Sequence, residues 1–239
     1  MAHNEGTLAL AGAGEFLDSM RPVDATLLER AGGRQVVVLP TAAAPDGQGV
    51  PERWAEMGVR HFEGLGARVE PVMALDHASC YEPRHAAAVR RANLVYLSGG
   101  KPGYLLNTLR GTSVWKAILA VLAGGGVLAG CSAGAMILGG WIPGRPRGRL
   151  SLWQPAFGLL PSTVLLPHFD EMPGWITGSV RWLRPRPSTL VGIDAGTVLL
   201  ATAGERAWQV LGSGRVVVQE AGRRAVYRQG SAVDRRAAG

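Results

Sequence analysis

An α/β fold, with a doubly wound and mostly parallel sheet flanked by helices and a C-terminal antiparallel β extension, is what this sequence predicts. Three observations predict it. Short β-branched or apolar runs alternate with amphipathic helical stretches over the first half of the chain, the pattern of a parallel sheet covered on both faces. Those runs are continuously apolar, as strands buried on both faces require. From Leu190 onward the apolar runs become short and closely spaced, as in antiparallel ribbons that extend a sheet edge.

Taken in order, Thr7–Ala13 is the first predicted strand and Asp24–Arg30 a short helix after it. Gln35–Thr41 is the second strand. In Pro51–Leu65, residues Trp54, Met57, Val59, His61, Phe62 and Leu65 alternate with polar residues at helical spacing. Arg68–Leu75 is the third strand, Pro83–Arg91 a helix and Asn93–Ser98 the fourth strand. Tyr104–Leu109 and Val114–Leu122 are helical and lead into a fifth strand at Gly126–Cys131. The stretch Ala117–Pro143 carries no charge and is long enough to cross a bilayer as one helix. Gly124, Gly125, Gly126, Gly130, Gly134, Gly139 and Gly140 divide it, so helix, turn, buried strand and second helix is the expectation. A loop at Arg145–Ser151 follows, then a strand at Thr163–Phe169 with His168 near its end and a helix near Trp175. Short strands at Leu190–Asp194, Val198–Ala201, Trp208–Leu211 and Val216–Glu220 complete the extension. One domain is expected over residues 1–239, with a frayed tail over 230–239.

Composition narrows the function. Hydrophobic residues make up 47% of the chain and there are 34 glycines, which fits a globular protein with many tight turns rather than a disordered one. The net charge of +7 comes from arginines, Lys101 and Lys116 being the only lysines. The arginines are scattered apart from 181–186 and 223–235, so nucleic acid is not an expected partner. Cys80 and Cys131 are too few for a disulfide framework and lack metal-ligand spacing, so a cytoplasmic location with no metal and no cofactor is expected. The amino terminus lacks a secretory pattern, and no membrane partner is expected.

Gly130-Cys131-Ser132-Ala133-Gly134 carries the chemistry. A serine on a tight strand-to-helix turn projects its hydroxyl beyond the sheet edge, and small neighbours let backbone N–H groups approach a developing oxyanion. Ser132 is the candidate nucleophile. Cys131 is out of register with the flanking glycines and is expected to pack as a small hydrophobe. Ligands in open parallel sheets gather beyond the carboxyl ends of the strands, where Gly12–Glu15, Thr41, Ser98–Lys101 and the Ser132 turn all fall. A serine needs a base, and Val164-Leu165-Leu166-Pro167-His168 places an imidazole at the end of an apolar strand. His3, His61, His77 and His85 sit in a tail, a helix or loops. Trp141, Trp153, Trp175 and Trp182 are expected in a core or interface.

These residues resemble the dipeptidase E and cyanophycinase family of serine peptidases, whose fold is like that of class I glutamine amidotransferases. Four blocks carry the resemblance: Leu97-Ser98-Gly99-Gly100, Gly130-Cys131-Ser132-Ala133-Gly134-Ala135, Pro167-His168-Phe169-Asp170 and Gly192-Ile193-Asp194. The resemblance implies that Ser132 attacks an amide carbonyl and that His168 serves as general base and then general acid. It also implies an oxyanion site of backbone N–H groups around Gly99, Gly100 and Ala133. Two positions depart from the family pattern. Ala195 stands where the family usually carries a glutamate after Gly-Ile-Asp, so the acid that orients the histidine is missing, a loss that can cost about four orders of magnitude in turnover. Asp194 and Asp170 are the candidate replacements. Lys101 follows Gly100 where many relatives carry an amide or acidic residue, and a lysine there can pair with a substrate carboxylate or stay solvated. Asp170 and Glu171 can instead meet a substrate ammonium or guanidinium group, and Glu15 and Glu205 are further carboxylates for the mouth of the site.

The expected function is a serine hydrolase cleaving a peptide or isopeptide bond in a short peptide or amino-acid-derived substrate. Two alternatives remain open at this level: a binding module that lost its acid with Ala195, and a glutaminase-like amidase. A homodimer is left open.

Overall fold

The computed structural model describes residues 6–144, 152–185, 188–202, 205, 207–220 and 223–234. Five parallel strands form the centre of a large sheet: β1 (Thr7–Ala11), β2 (Gln35–Leu39), β3 (Arg68–Pro71), β4 (Leu94–Leu97) and β5 (Val127–Cys131), in the order β1-β5-β4-β2-β3. The strands are shorter than predicted by one to four residues. Side chains alternate between the faces, as the period of an extended chain dictates. Leu8, Leu10, Val37, Leu39, Val95, Leu97 and Leu128 enter one core, while Ala9, Ala11, Val36, Val38, Leu94, Tyr96, Val127 and Ala129 enter the other.

Helices cover both faces, as a doubly wound sheet requires. Helices α1 (Arg21–Arg30) and α2 (Val50–Glu63) pack Leu27, Leu28 and Phe62 on one side. A buried pair, Asp24 Oδ2 to His61 Nε2 at 2.8 Å, ties them together. Burial raises the Asp24 carboxyl above its ordinary range, with the His61 bond opposing that rise. On the other side lie α3 (Pro83–Arg90), α4 (Pro102–Leu109) and α5 (Ser113–Ala123), contributing Val89, Leu105, Leu106, Leu109 and Ile118. Thr112 starts α5 by accepting the Trp115 N–H on its hydroxyl at 3.2 Å, which satisfies one of the donors a helix start leaves open.

The chain after Ser132 departs from expectation. The second helix of the predicted pair is a single turn, α6 (Ala133–Met136), followed by a strand, β6 (Gly139–Pro143). The glycine pair lets β6 pass against its neighbour: a Cβ on Gly140 would stand 2.0 Å from the Pro161 carbonyl oxygen. With β7 (Trp153–Pro155), β8 (Leu160–Leu166), β9 (Thr189–Ile193), β12 (Arg215–Glu220) and β13 (Arg223–Arg228), it builds a separate six-stranded sheet in the order β13-β12-β9-β8-β6-β7. The predicted strands at Leu190–Asp194 and Val216–Glu220 therefore belong to this second sheet. Only β10 (Thr197–Thr202), β11 (Ala207–Gly212) and β14 (Ala232–Asp234) extend the large one, antiparallel beyond β1. Leu165, Val191, Ile193, Val216 and Val218 share a core with Leu8, Leu10 and Leu199, so one apolar layer serves both sheets. Helix α7 (Gly174–Leu183) follows β8, and Trp141 and Trp153 pack in a small cluster with Val164 and Leu166. Trp175 is 73% exposed, so of the two settings expected for it, core or interface, it does not occupy the core of this chain. The predicted loop at 145–151, the Trp182 side chain and the arginines 181 and 186 lie outside the described residues and side chains.

The predicted frayed tail is corrected in part: Ala232–Asp234 pairs with β11, and Val233 is fully buried. Strand alternation makes this testable. Val233→Asp places a charge in an apolar core and is expected to cost about 3 kcal/mol or more, whereas Ala232→Asp, on the exposed side, should stay within about 0.5 kcal/mol. Urea denaturation of the two variants measures the difference, and equal stabilities would refute the strand.

Candidate active site

The parallel register brings the turns after β1, β4 and β5 to one edge, with Ala11 opposite Cys131 and Leu97 opposite Gly130. Ser132 sits at the apex of the β5–α6 turn with φ 49° and ψ −111°, a conformation that costs a non-glycine residue roughly 1–3 kcal/mol and is retained where surrounding structure enforces it. The two glycines of the motif enforce it. A Cβ on Gly130 would stand 2.5 Å from the Gly134 backbone, and one on Gly134 would stand 2.4 Å from the Leu97 carbonyl oxygen. The turn is pinned from β1 by the Ser132 N–H, which donates to the Ala11 carbonyl at 3.0 Å.

His168 reaches this turn from the other sheet. It lies two residues beyond β8, in a turn where its own φ is 52°, and its Nε2 stands 3.1 Å from Ser132 Oγ. The nucleophile and base proposed from sequence are therefore together. The other histidines among the described residues are not: His61 pairs with Asp24, while His77 Nδ1 and His85 Nδ1 bond the Thr108 and Ser79 carbonyls. Above the hydroxyl opens a cleft of about 320 Å³, lined by Ala13 to Glu15, Leu17, Asp46, Trp54, Met57, Gly99, Gly100, Ser132 and His168. Thr41, placed at this edge by sequence, is fully buried and bonds the Ala74 carbonyl, and Asp46 from the following 3-10 segment (Thr41–Asp46) takes its place in the lining.

Neither predicted replacement acid meets the imidazole. Asp194 Oδ2 accepts from the Arg215 backbone N–H at 3.0 Å and from Arg215 Nε at 2.7 Å, which makes it a tie between β9 and β12. Asp170 Oδ1 accepts the Ala195 N–H at 2.8 Å. The carboxylate on the ring is Glu171, whose Oε2 lies 3.1 Å from His168 Nδ1. Sequence reasoning missed this because it extended strand alternation past Leu166. A turn instead puts residues three apart side by side, and a His-x-x-Glu spacing just after Pro167 was the available signal.

The oxyanion site is also revised. The Gly99 N–H donates to Glu15 Oε1 at 2.8 Å and so is occupied, whereas the Gly100 and Ala133 N–H groups have no acceptor among the described residues. Gly100 has φ +139° and so close an approach to the Ala42 carbonyl that a Cβ would lie 2.3 Å away, which fixes its amide beside the cleft. Lys101 pairs with Asp46 Oδ1 at 3.2 Å, so its charge is already engaged. Glu205 pairs with Arg30 and does not line the cleft.

Glu15, only raised by sequence as a candidate for the mouth, is buried at its base. Its second oxygen accepts the Cys131 thiol at 2.8 Å, so Cys131 is a hydrogen-bond donor and not merely a small hydrophobe. Burial first, and the facing Glu15 carboxylate second, push the Cys131 thiol well above its ordinary range. A thiol held in that state is a poor nucleophile.

Residues 8–207 match the model of peptidase family S51. The chain belongs to that family. A crystal structure of a peptidase from an acI-B1 Actinobacterium is 31% identical and covers 96% of this chain and 97% of its own, with a TM-score of 0.87. A protein provisionally assigned as a peptidase E from Listeria monocytogenes EGD-e shares the fold at 20% identity, covering 90% of this chain and 98% of its own, with a TM-score of 0.62. An uncharacterized peptidase of Listeria innocua is 33% identical over 105 residues, 44% of this chain and 47% of that protein's length, so the matched segment spans about half of that curated relative. Among the described residues no cluster of three metal-ligating side chains occurs and no helix is long and apolar enough to cross a membrane.

Glu15 joins the oxyanion loop to the elbow, so its removal leaves two buried donors without an acceptor. Glu15→Ala is expected to lower the unfolding free energy by about 1–3 kcal/mol, read by chemical denaturation. A variant as stable as wild type would show that the bridge is dispensable.

Proposed function

We propose that this S51 family member is a serine hydrolase that cleaves a peptide or isopeptide bond in a short substrate through an acyl-enzyme. The observation that carries this reading is the 3.1 Å contact between His168 Nε2 and Ser132 Oγ at the floor of an open cleft. That distance lies within the reach a general base needs. In the proposed reaction, Nε2 takes the hydroxyl proton as Oγ bonds to the carbonyl carbon. The negative charge that gathers on the carbonyl oxygen meets the Gly100 and Ala133 N–H groups, which are fixed in place before the reaction begins. As the C–N bond breaks, the imidazolium returns its proton to the departing amine. Water then attacks the ester, with His168 again acting as base, and the acid product leaves with Ser132 regenerated.

The dimensions favour a short substrate. A cleft of about 320 Å³ stands at the small end of ligand sites, enough for one or two amino-acid residues. Leu17, Trp54 and Met57 supply apolar walls, while Glu15 and Asp46 make its polar lining acidic. Both cysteines are free and buried, which fits the proposed reducing, cytoplasmic setting.

A fluorophosphonate probe reports on this machinery without knowledge of the substrate. Wild type is expected to be labelled once per chain, Ser132→Ala to lose labelling entirely, and His168→Ala to react at least about a thousandfold more slowly, as read by intact-mass spectrometry against time. Persistent labelling of Ser132→Ala, or an inert wild type, sinks the serine mechanism.

A further inference from the structure

We propose that Glu171 is the positioning acid of the site, holding the His168 ring so that Nδ1 carries the proton and Nε2 faces Ser132 with its lone pair. This rests on the serine-hydrolase reading above and specifies which carboxylate completes it. The two ring nitrogens are each engaged: Nε2 with Ser132 Oγ and Nδ1 with Glu171 Oε2, both at 3.1 Å. A carboxylate can only accept, so the bond to Nδ1 selects the tautomer in which that nitrogen is the donor. The two aspartates expected from sequence are committed elsewhere. Asp170 holds the Ala195 N–H, and Asp194 holds Arg215. Ala195 itself offers only a methyl group to the turn.

A surface carboxylate next to a histidine is commonplace, and what separates this one is the rigidity of the turn that presents it. The Glu171 N–H closes on the His168 carbonyl at 3.1 Å, and the Phe169 N–H donates to the Ile193 carbonyl at 3.1 Å. The Phe169 ring lies over Gly192 so closely that a Cβ there would be 2.4 Å from it. The Asp170 bond to Ala195 adds a third tie to the end of β9. His168 adopts its positive φ within these constraints, and the result is that the side chains at positions 168 and 171 project from one rigid turn. The carboxylate therefore does not have to be recruited from a flexible loop.

The same location sets a limit on its effect. The His168 and Glu171 side chains are 41% and 64% exposed, so water competes for the carboxylate and salt screens it. A buried triad acid is worth about four orders of magnitude in turnover, and an exposed one must deliver less. The contribution expected from Glu171 is about 10- to 100-fold.

The test follows the fluorophosphonate reaction of the full chain and separates the limiting labelling rate from the probe's half-saturating concentration. For Glu171→Ala the limiting rate is expected to fall about 10- to 100-fold, with half-saturation within about twofold of wild type and the melting temperature unchanged within about a degree. Raising sodium chloride from about 0.05 to 1 M should slow wild type at least about twofold and leave Glu171→Ala unaffected, a response that a merely structural residue would not produce. A limiting rate within about twofold of wild type overturns the proposal, and so does a loss of rate that follows a loss of folded protein. If that variant is too unstable to judge, Glu171→Gln, which keeps the size and loses the charge, must show the same fall and the same loss of salt response, or the proposal fails. An inert wild type would instead overturn the serine reading on which this one rests, so the two failures are distinguishable.

Discussion

Everything at the site depends on how closely three backbones approach one another at the end of β5. Gly130 touches Gly134 across the turn, Gly134 touches the carbonyl of Leu97 at the end of β4, and Ser132 is left at φ 49° with its hydroxyl pointing out of the sheet. No side chain larger than hydrogen fits either glycine position without moving main chain. The strain in Ser132 is therefore borne by the parallel sheet, whose paired strands fix the distance between β4 and β5. The same approach leaves the Ala133 amide without an acceptor among the described residues, so the feature that exposes the hydroxyl also leaves a donor beside it.

Glu15 links this turn to the second donor. One of its oxygens holds the Gly99 amide and the other the Cys131 thiol, so the loop after β4 and the residue before the nucleophile hang from one carboxylate at the end of β1. An anion at the floor of a cleft is costly to bury unless donors surround it, and here an N–H and an S–H do so. The consequence for Cys131 is chemical as well as mechanical: a thiol pushed up by burial and by a facing carboxylate stays protonated, which separates it in reactivity from the serine beside it.

Local pattern made much of this legible in the sequence, and the limits of local pattern explain the remainder. Four of the five parallel strands announce themselves as largely apolar runs, β3 with Arg68 and Glu70 being the exception, and the elbow as a serine between two glycines, because both depend on contacts within a few residues or on burial alone. His168 was legible for the same reason, as a polar residue closing an apolar strand. The second sheet was not, since the sequence shows where β9 and β12 lie but not which strands they join, and the glycine pair at 139 and 140 reads as a helix break when it is in fact the start of β6. Glu171 was hidden by a turn. Alternation along a strand favoured Asp170, but the chain leaves the extended conformation after Leu166, and the rule loses its force there.

The distance between Ser132 and His168 is a property of two sheets and not of one. Ser132 ends a strand of the large sheet, and His168 follows a strand of the small one, so their separation is set wherever the sheets are joined. The connection from β9 to β10 is one such join: β9 lies in the small sheet and β10 pairs with β1 in the large one. Its turn is fastened on both sides, by the Gly196 N–H to the Ala13 carbonyl and by the Ala195 N–H to Asp170. Asp194 locks the same corner to β12 through Arg215. The aspartates that looked like catalytic acids in the sequence are thus structural ties, Asp170 joining the turn of His168 to this corner and Asp194 joining the corner to β12. At position 195 the corner supplies a backbone N–H to Asp170, and the carboxylate on the imidazole ring comes from the turn that this bond ties down.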